Sequence, residues 1–114
     1  MTRKINLLIS GAILACLLAS SLTVPFALAS TGWEKTYGGA YSELAYGLVQ
    51  TSDGGYAIIG STTSFGLGLV NAYLVKTDAD GNLLWNQTYS GIGQGIADTL
   101  IQTSDGGYAF GGYT

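Results

Sequence analysis

The chain repeats itself. Trp33-Glu-Lys-Thr-Tyr-Gly-Gly39 recurs as Trp85-Asn-Gln-Thr-Tyr-Ser-Gly91, and Gln50-Thr-Ser-Asp-Gly-Gly-Tyr-Ala57 recurs unchanged as Gln102 to Ala109. Both offsets are 52 residues, and residues 33–62 align with 85–114 without a gap, with 16 of 30 positions identical. A repeat of this kind constrains the fold strongly, because each copy must be one supersecondary unit that buries its apolar face against the next. A period near 50 suits propeller blades better than helical solenoids.

The local pattern fixes the class. Tyr46 to Gln50 is a short, largely apolar run, and Tyr56-Ala-Ile-Ile-Gly60 is another. Between them lies Thr51-Ser-Asp-Gly-Gly55, rich in turn formers, so the three segments read as a β-hairpin. Thr62 to Leu69 reads as a loop, Ala72 to Thr77 as a third strand, Asp78-Ala-Asp-Gly-Asn82 as a turn, and Leu83 to Tyr89 as a fourth strand. Along that fourth strand, Trp85, Gln87 and Tyr89 share one face. Of the 18 Gly in the chain, all but Gly11 follow residue 29. That density weakens helices and suits tight turns. The expected fold is all-β, made of four-stranded antiparallel propeller-like blades. About one and a half units of 52 residues are present, so the propeller is expected to be incomplete.

Trp-x-Lys-Thr-Tyr-Gly-Gly, Gln-Thr-Ser-Asp-Gly-Gly-Tyr and Tyr-Leu-Val-Lys-Thr-Asp-x-x-Gly-Asn-x-x-Trp together resemble tandem β-propeller-like repeats of secreted and cell-surface proteins of archaea and bacteria. The resemblance implies architecture more than activity. The segment Gly81-Asn-Leu-Leu-Trp85 also has the Gly-x-x-x-Trp spacing of quinoprotein-type propellers. In those proteins the Trp locks neighbouring blades, so the likeness implies that Trp33 and Trp85 are structural pins. No residues match a quinone site, and no cofactor is implied.

The first 29 residues read as an address. Arg3 and Lys4 precede an uncharged apolar run from Ile5 to Ala29, which ends in Ala27-Leu28-Ala29. This is the pattern of a secretory signal peptide cut before Ser30. Two alternatives remain: an uncleaved membrane anchor, since the run is long enough to span a bilayer, and a lipoprotein signal at Cys16. Cleavage leaves residues 30–114 as a partial repeat domain without cysteine. Its bases are then Lys35 and Lys76, against seven acids, a net charge of −5. An acidic chain lacks the basic footprint of a nucleic-acid binder. Membrane contact is expected only through the N-terminal segment.

Candidate sites are sparse. The chain has no His, which removes the commonest general base and metal ligand. No Ser/His or Cys/His pair can form, and Glu34 and Glu43, the only Glu, sit in no catalytic motif. The expectation is no enzyme activity and no metal. Asp53 and Asp105 occupy identical places before Gly and read as turn residues. Asp78, Asp80 and Asn82 resemble an oxygen-rich calcium loop only superficially, because their flanks read as strands. Asn86-Gln-Thr88 is a glycosylation sequon on a strand, with Asn86 opposite Trp85 and expected to face solvent. Tyr37/Tyr89 and Tyr56/Tyr108 recur at the period and read as architectural. Tyr41, Tyr46 and Tyr113 do not recur, which makes them the candidate ligand-facing aromatics.

A unit and a half has unburied faces and an open edge strand. The expected partners are therefore further repeats of the same protein or copies of the chain, with cell-surface glycans as a further class. The expected function is that of an exported cell-surface repeat module with a structural or protein-interaction role. The alternatives are a carbohydrate-binding module and a fragment of a larger propeller enzyme.

Overall fold

A computed structural model describes residues 5–9, 32–91 and 94–114, with backbone only for 5–9. Eight strands follow in chain order: β1 (Ile5–Ile9), β2 (Trp33–Tyr37), β3 (Glu43–Gln50), β4 (Tyr56–Thr62), β5 (Asn71–Thr77), β6 (Leu83–Tyr89), β7 (Ile96–Gln102) and β8 (Tyr108–Tyr113). They form a pair β1-β2, a four-stranded sheet β3-β4-β5-β6 and a pair β7-β8, all antiparallel. Among the described residues no helix is long and apolar enough to cross a membrane. Cys16 and the expected cleavage site at Ala27 to Ser30 lie outside the described residues.

The turns form where their chemistry requires. In the first hairpin the Gly54 N–H donates to the Thr51 carbonyl and the Thr51 N–H to the Gly55 carbonyl, both at 2.9 Å. Gly54 and Gly106, its counterpart one period later, share a φ of +84°, which side-chain-bearing residues adopt at a cost. The Asp53 carboxylate accepts the Gly55 N–H at 3.0 Å, and Asp105 does the same for Gly107. Both aspartates therefore hold their turns, as an Asp before Gly should.

Strand β3 starts at Glu43, three residues before the apolar run suggests, and carries a bulge. The register slips between Ala45 and Gly47, and β7 slips at the same place in the repeat, between Ala97 and Thr99. Ala45 pairs with Gly60 and Ala97 with Gly112. At both positions the bulged strand approaches the glycine backbone so closely that a Cβ would overlap a carbonyl oxygen, of Leu44 or of Ile96.

The central strands β4 and β5 are buried almost throughout, and β6 is largely exposed. Each face of the sheet is covered by a different part of the chain. On one face Ala57, Ile59, Ala72 and Leu74 pack with Ala97 and Leu100 of β7, with Val49, Tyr108 and Phe110 at the margin. On the other, Ile58, Tyr73 and Val75 pack with Tyr37 of β2. The alternation along β4 and β5 sends successive side chains to opposite cores.

Candidate functional site

The feature that recurs with the sequence period is the boundary between units. Trp33 meets Tyr56 edge-on, with ring centroids 6.0 Å apart and planes at 63°. One period later Trp85 meets Tyr108 at 5.8 Å and 66°. In each case the Trp lies on the last strand of one unit and the Tyr opens the second strand of the next. Edge-on pairs of this kind contribute about 0.5–1.5 kcal/mol beyond their burial. Gly81 belongs to the same contact. Its φ is +78°, and a Cβ there would stand 2.7 Å from Trp33 Cε3. Trp33 therefore rests on bare backbone at the turn before β6. The hydroxyl of Tyr37 closes the boundary by donating to the Gly81 carbonyl at 2.6 Å.

Two polar arrangements were not legible in the sequence. Lys76, buried on β5, reaches Asp53 in the first hairpin turn at 2.9 Å and donates also to the Thr77 carbonyl at 2.7 Å. The second is a row across three strands: Glu43 pairs with Thr62, and Thr62 with Asn71. Glu43 is 1% exposed, and its carboxylate accepts the Thr62 hydroxyl at 2.9 Å and the Gly39 N–H at 3.3 Å. Asn71 donates through Nδ2 to the Phe65 carbonyl at 3.0 Å, while its buried Oδ1 has no hydrogen-bond partner among the described residues. Glu43 corresponds to Gly95 one period later, so this row belongs to the first unit alone. Among the described residues no three His, Cys, Asp or Glu come together as metal ligands.

The three non-recurring tyrosines are exposed but not gathered. Tyr41 lines a cleft of about 330 Å³ with Thr63, Leu69 and Gln94. Tyr113 lines a larger one, about 680 Å³, with Ala72, Tyr89, Ala97 and Phe110. Tyr46 sits on the β3 bulge and lines neither. Asn86 is exposed, and lines a cleft of about 310 Å³ with Lys35, Tyr37, Phe65, Tyr73 and Gly81. It thus lies beside β2 rather than on a bare outer surface. The Asp78 carboxylate is occupied by its own turn, accepting the N–H groups of Asp80 and Asn82 at 2.9 and 2.8 Å and the Asn82 side chain at 3.0 Å.

The turn aspartates make stability pH-dependent. The Thr51 hydroxyl, then Lys76, then the Gly55 N–H hold Asp53 well below the usual carboxylate range. Asp78 is lowered chiefly by Asn82, and Asp105 by the Thr103 hydroxyl and then the Gly107 N–H. A carboxyl depressed in the fold contributes fully above its unfolded value of 3.8, and that contribution is lost as pH falls toward the folded value. The melting temperature is therefore expected to hold from neutrality to about pH 5 and to drop below it. Solvent screening keeps the drop modest, since all three groups are exposed. Asp53→Asn should flatten the acid limb; an unchanged limb in that variant would contradict the role given to Asp53.

Compared with known proteins, the chain matches no family model, no curated protein and no solved structure.

Proposed function

We propose that this chain is an exported cell-surface repeat module, built of propeller-like blades, with a structural or protein-interaction role and no catalytic activity. The observation that carries the reading is the recurrence of the Trp–Tyr contact at both unit boundaries with nearly the same distance and angle. Residues kept in place by the period serve the joining of units. The natural partners of such a module are further repeats or copies of itself. Expression of the whole chain in a secreting host tests the export part. The exported protein is expected to begin at Ser30, and an intact Met1 in the exported fraction would contradict it.

Carbohydrate binding is the second reading, favoured by the exposure of Tyr41, Tyr46 and Tyr113. A glycan array separates the two. Binding that is lost in Tyr113→Ala but kept in Tyr46→Ala would place sugar in the cleft beside Tyr89. Silence across polysaccharides leaves the scaffold.

A further inference from the structure

The two ends of the unit differ in charge. The connections β3-β4, β5-β6 and β7-β8 leave the strands at one end and carry Asp53, Asp78, Asp80 and Asp105. The connections β2-β3, β4-β5 and β6-β7 span residues 38–42, 63–70 and 90–95 at the other end, and they contain no charged residue. They are also apolar where they are most exposed: Leu67 is 86% exposed, Leu69 65% and Tyr41 64%. Single exposed apolar residues are ordinary, but a group gathered on adjoining loops marks a binding surface. Tyr41, Leu69 and Gln94, one from each connection, line a single cleft. Neighbouring units pack on the faces of the sheet, as β7 does, so this surface at the strand ends stays open whatever flanks the unit.

The loops here are tied to one another. The Thr63 N–H donates to the Ser42 carbonyl at 2.9 Å, and the Tyr41 N–H to Ser64 Oγ at 2.8 Å. On the other side the Gly95 N–H donates to the Val70 carbonyl at 2.9 Å, and the Leu67 N–H to Ser90 Oγ at 3.4 Å. The buried row of Glu43, Thr62 and Asn71 supports the longest loop from beneath. Thr62 Oγ1 accepts the N–H groups of Ser64 and Phe65 at 3.0 and 3.3 Å, and Asn71 holds the Phe65 carbonyl. The Phe65 ring lies against Tyr73, with centroids 5.4 Å apart. Glu43, the acid that opens β3 at this end, is turned inward onto Thr62 and Gly39. The exposed Asp98 stands three residues along β7 from Gly95, on the bulge.

We propose that this end, led by Leu67 and Leu69, dips into the surface of a lipid bilayer. The proposal goes beyond the function above, and it departs from the expectation that membrane contact runs only through the N-terminal segment. Hydrocarbon offers no hydrogen bonds, so a segment that enters it must satisfy its own backbone. The N–H groups of Tyr41, Thr63, Ser64, Phe65 and Leu67 and the carbonyls of Phe65 and Val70 are bonded within the protein. A protein partner would instead be met with about one hydrogen bond per 100–200 Å² and a polar rim. Bringing a charge into hydrocarbon is costly. The turn aspartates stand at the far end, and Glu43 is already inside the fold. Tyr41 adds an amphipathic ring of the kind that sits at headgroup level.

A fluorescent reporter on the full chain tests this. In a Cys16→Ser background, an environment-sensitive fluorophore on Leu67→Cys should shift to the blue when phosphatidylcholine vesicles are added. Lipid with brominated acyl chains should quench it. The same fluorophore on Asp80→Cys, at the acidic end, should do neither. The contrast reads which end of the unit faces lipid, so it holds whether or not the N-terminal segment also enters the bilayer. High salt should leave the shift intact, because no charge takes part. Adding Leu69→Asp should raise the lipid needed for half the shift about tenfold or more, the worth of one buried leucine. Leu69 is exposed, so the melting temperature of that variant should match wild type, which separates lost contact from lost fold. A reporter at position 67 that stays as in buffer, one at position 80 that responds equally, or a shift untouched by Leu69→Asp overturns the proposal. A shift at position 67 that grows with protein concentration in the absence of lipid would assign this end to a second copy, and overturns it too.

Discussion

Gly60→Ala is expected to unfold the first unit. A Cβ at this position would overlap the Leu44 carbonyl oxygen and lie 2.8 Å from the Leu44 carbonyl carbon and 2.9 Å from Ala45 Cα. Every one of these atoms is backbone, so no rotamer change relieves the overlap. β3 must part from β4 at the bulge, and Glu43 and Thr62 would separate with it. The loss should exceed about 4 kcal/mol, the range reached by severe core defects. A small domain has only about 5–15 kcal/mol in total. Circular dichroism melts would show it as a transition lowered by tens of degrees or absent. Gly54→Ala is the control. It has no atom within 4 Å of the added Cβ but a φ of +84°, so it carries only left-handed strain, about 1–2 kcal/mol. If Gly60→Ala melted no lower than Gly54→Ala, the close approach of β3 to β4 would be wrong.

Leu74→Ala should cost about 2–5 kcal/mol, the usual loss for a buried Leu truncated to Ala. Leu74 is almost fully buried among Ala57, Ile59 and Ala72 of its own sheet and Ala97 and Leu100 of β7. Part of its cavity would therefore open at the boundary between units, and β7-β8 should loosen along with the sheet. A double-mutant cycle with Leu100→Ala measures this. The two losses should fall short of additive, with a coupling of about 0.5–3 kcal/mol for residues sharing one core. Strict additivity in urea unfolding would mean that the second pair does not pack on Leu74. The exposed Leu67 supplies the contrast, and Leu67→Ala should stay within about 0.5 kcal/mol of wild type.

The strand order of the whole unit was legible because its signals are local. Asp-Gly at the turns, β-branched and aromatic runs between them, and the shared period of both copies all act over a few residues. β6 matches its expected span, and β5 begins one residue early, at Asn71. The start of β3 was not legible, because the bulge at Ala45 to Gly47 breaks the alternation that marks a strand. Lys76 and Asp53 lie 23 residues apart and meet only once β4 and β5 are paired, so no spacing rule announces them. The row of Glu43, Thr62 and Asn71 is hidden for the same reason: it runs across the strands rather than along one. Strand β1 was hidden differently. Its residues belong to an uncharged, mostly apolar run, which reads first as an export signal. The recurring Tyr56 and Tyr108 were legible as architecture by their period alone, and both lie against a Trp.

In the central sheet every strand pairs with its neighbour in the chain, in the order β3-β4-β5-β6. No pairing has to wait for a distant segment, so loop-closure entropy is charged in small steps. A chain emerging N-terminus first, from a ribosome or through a membrane pore, can therefore zip up one hairpin at a time. Each new strand pairs with the one made just before it. The step that must wait for later residues is the seating of β7 on Leu74 and Ile59. A folding sequence of this kind lengthens by adding units, with no change to the route taken by those already made.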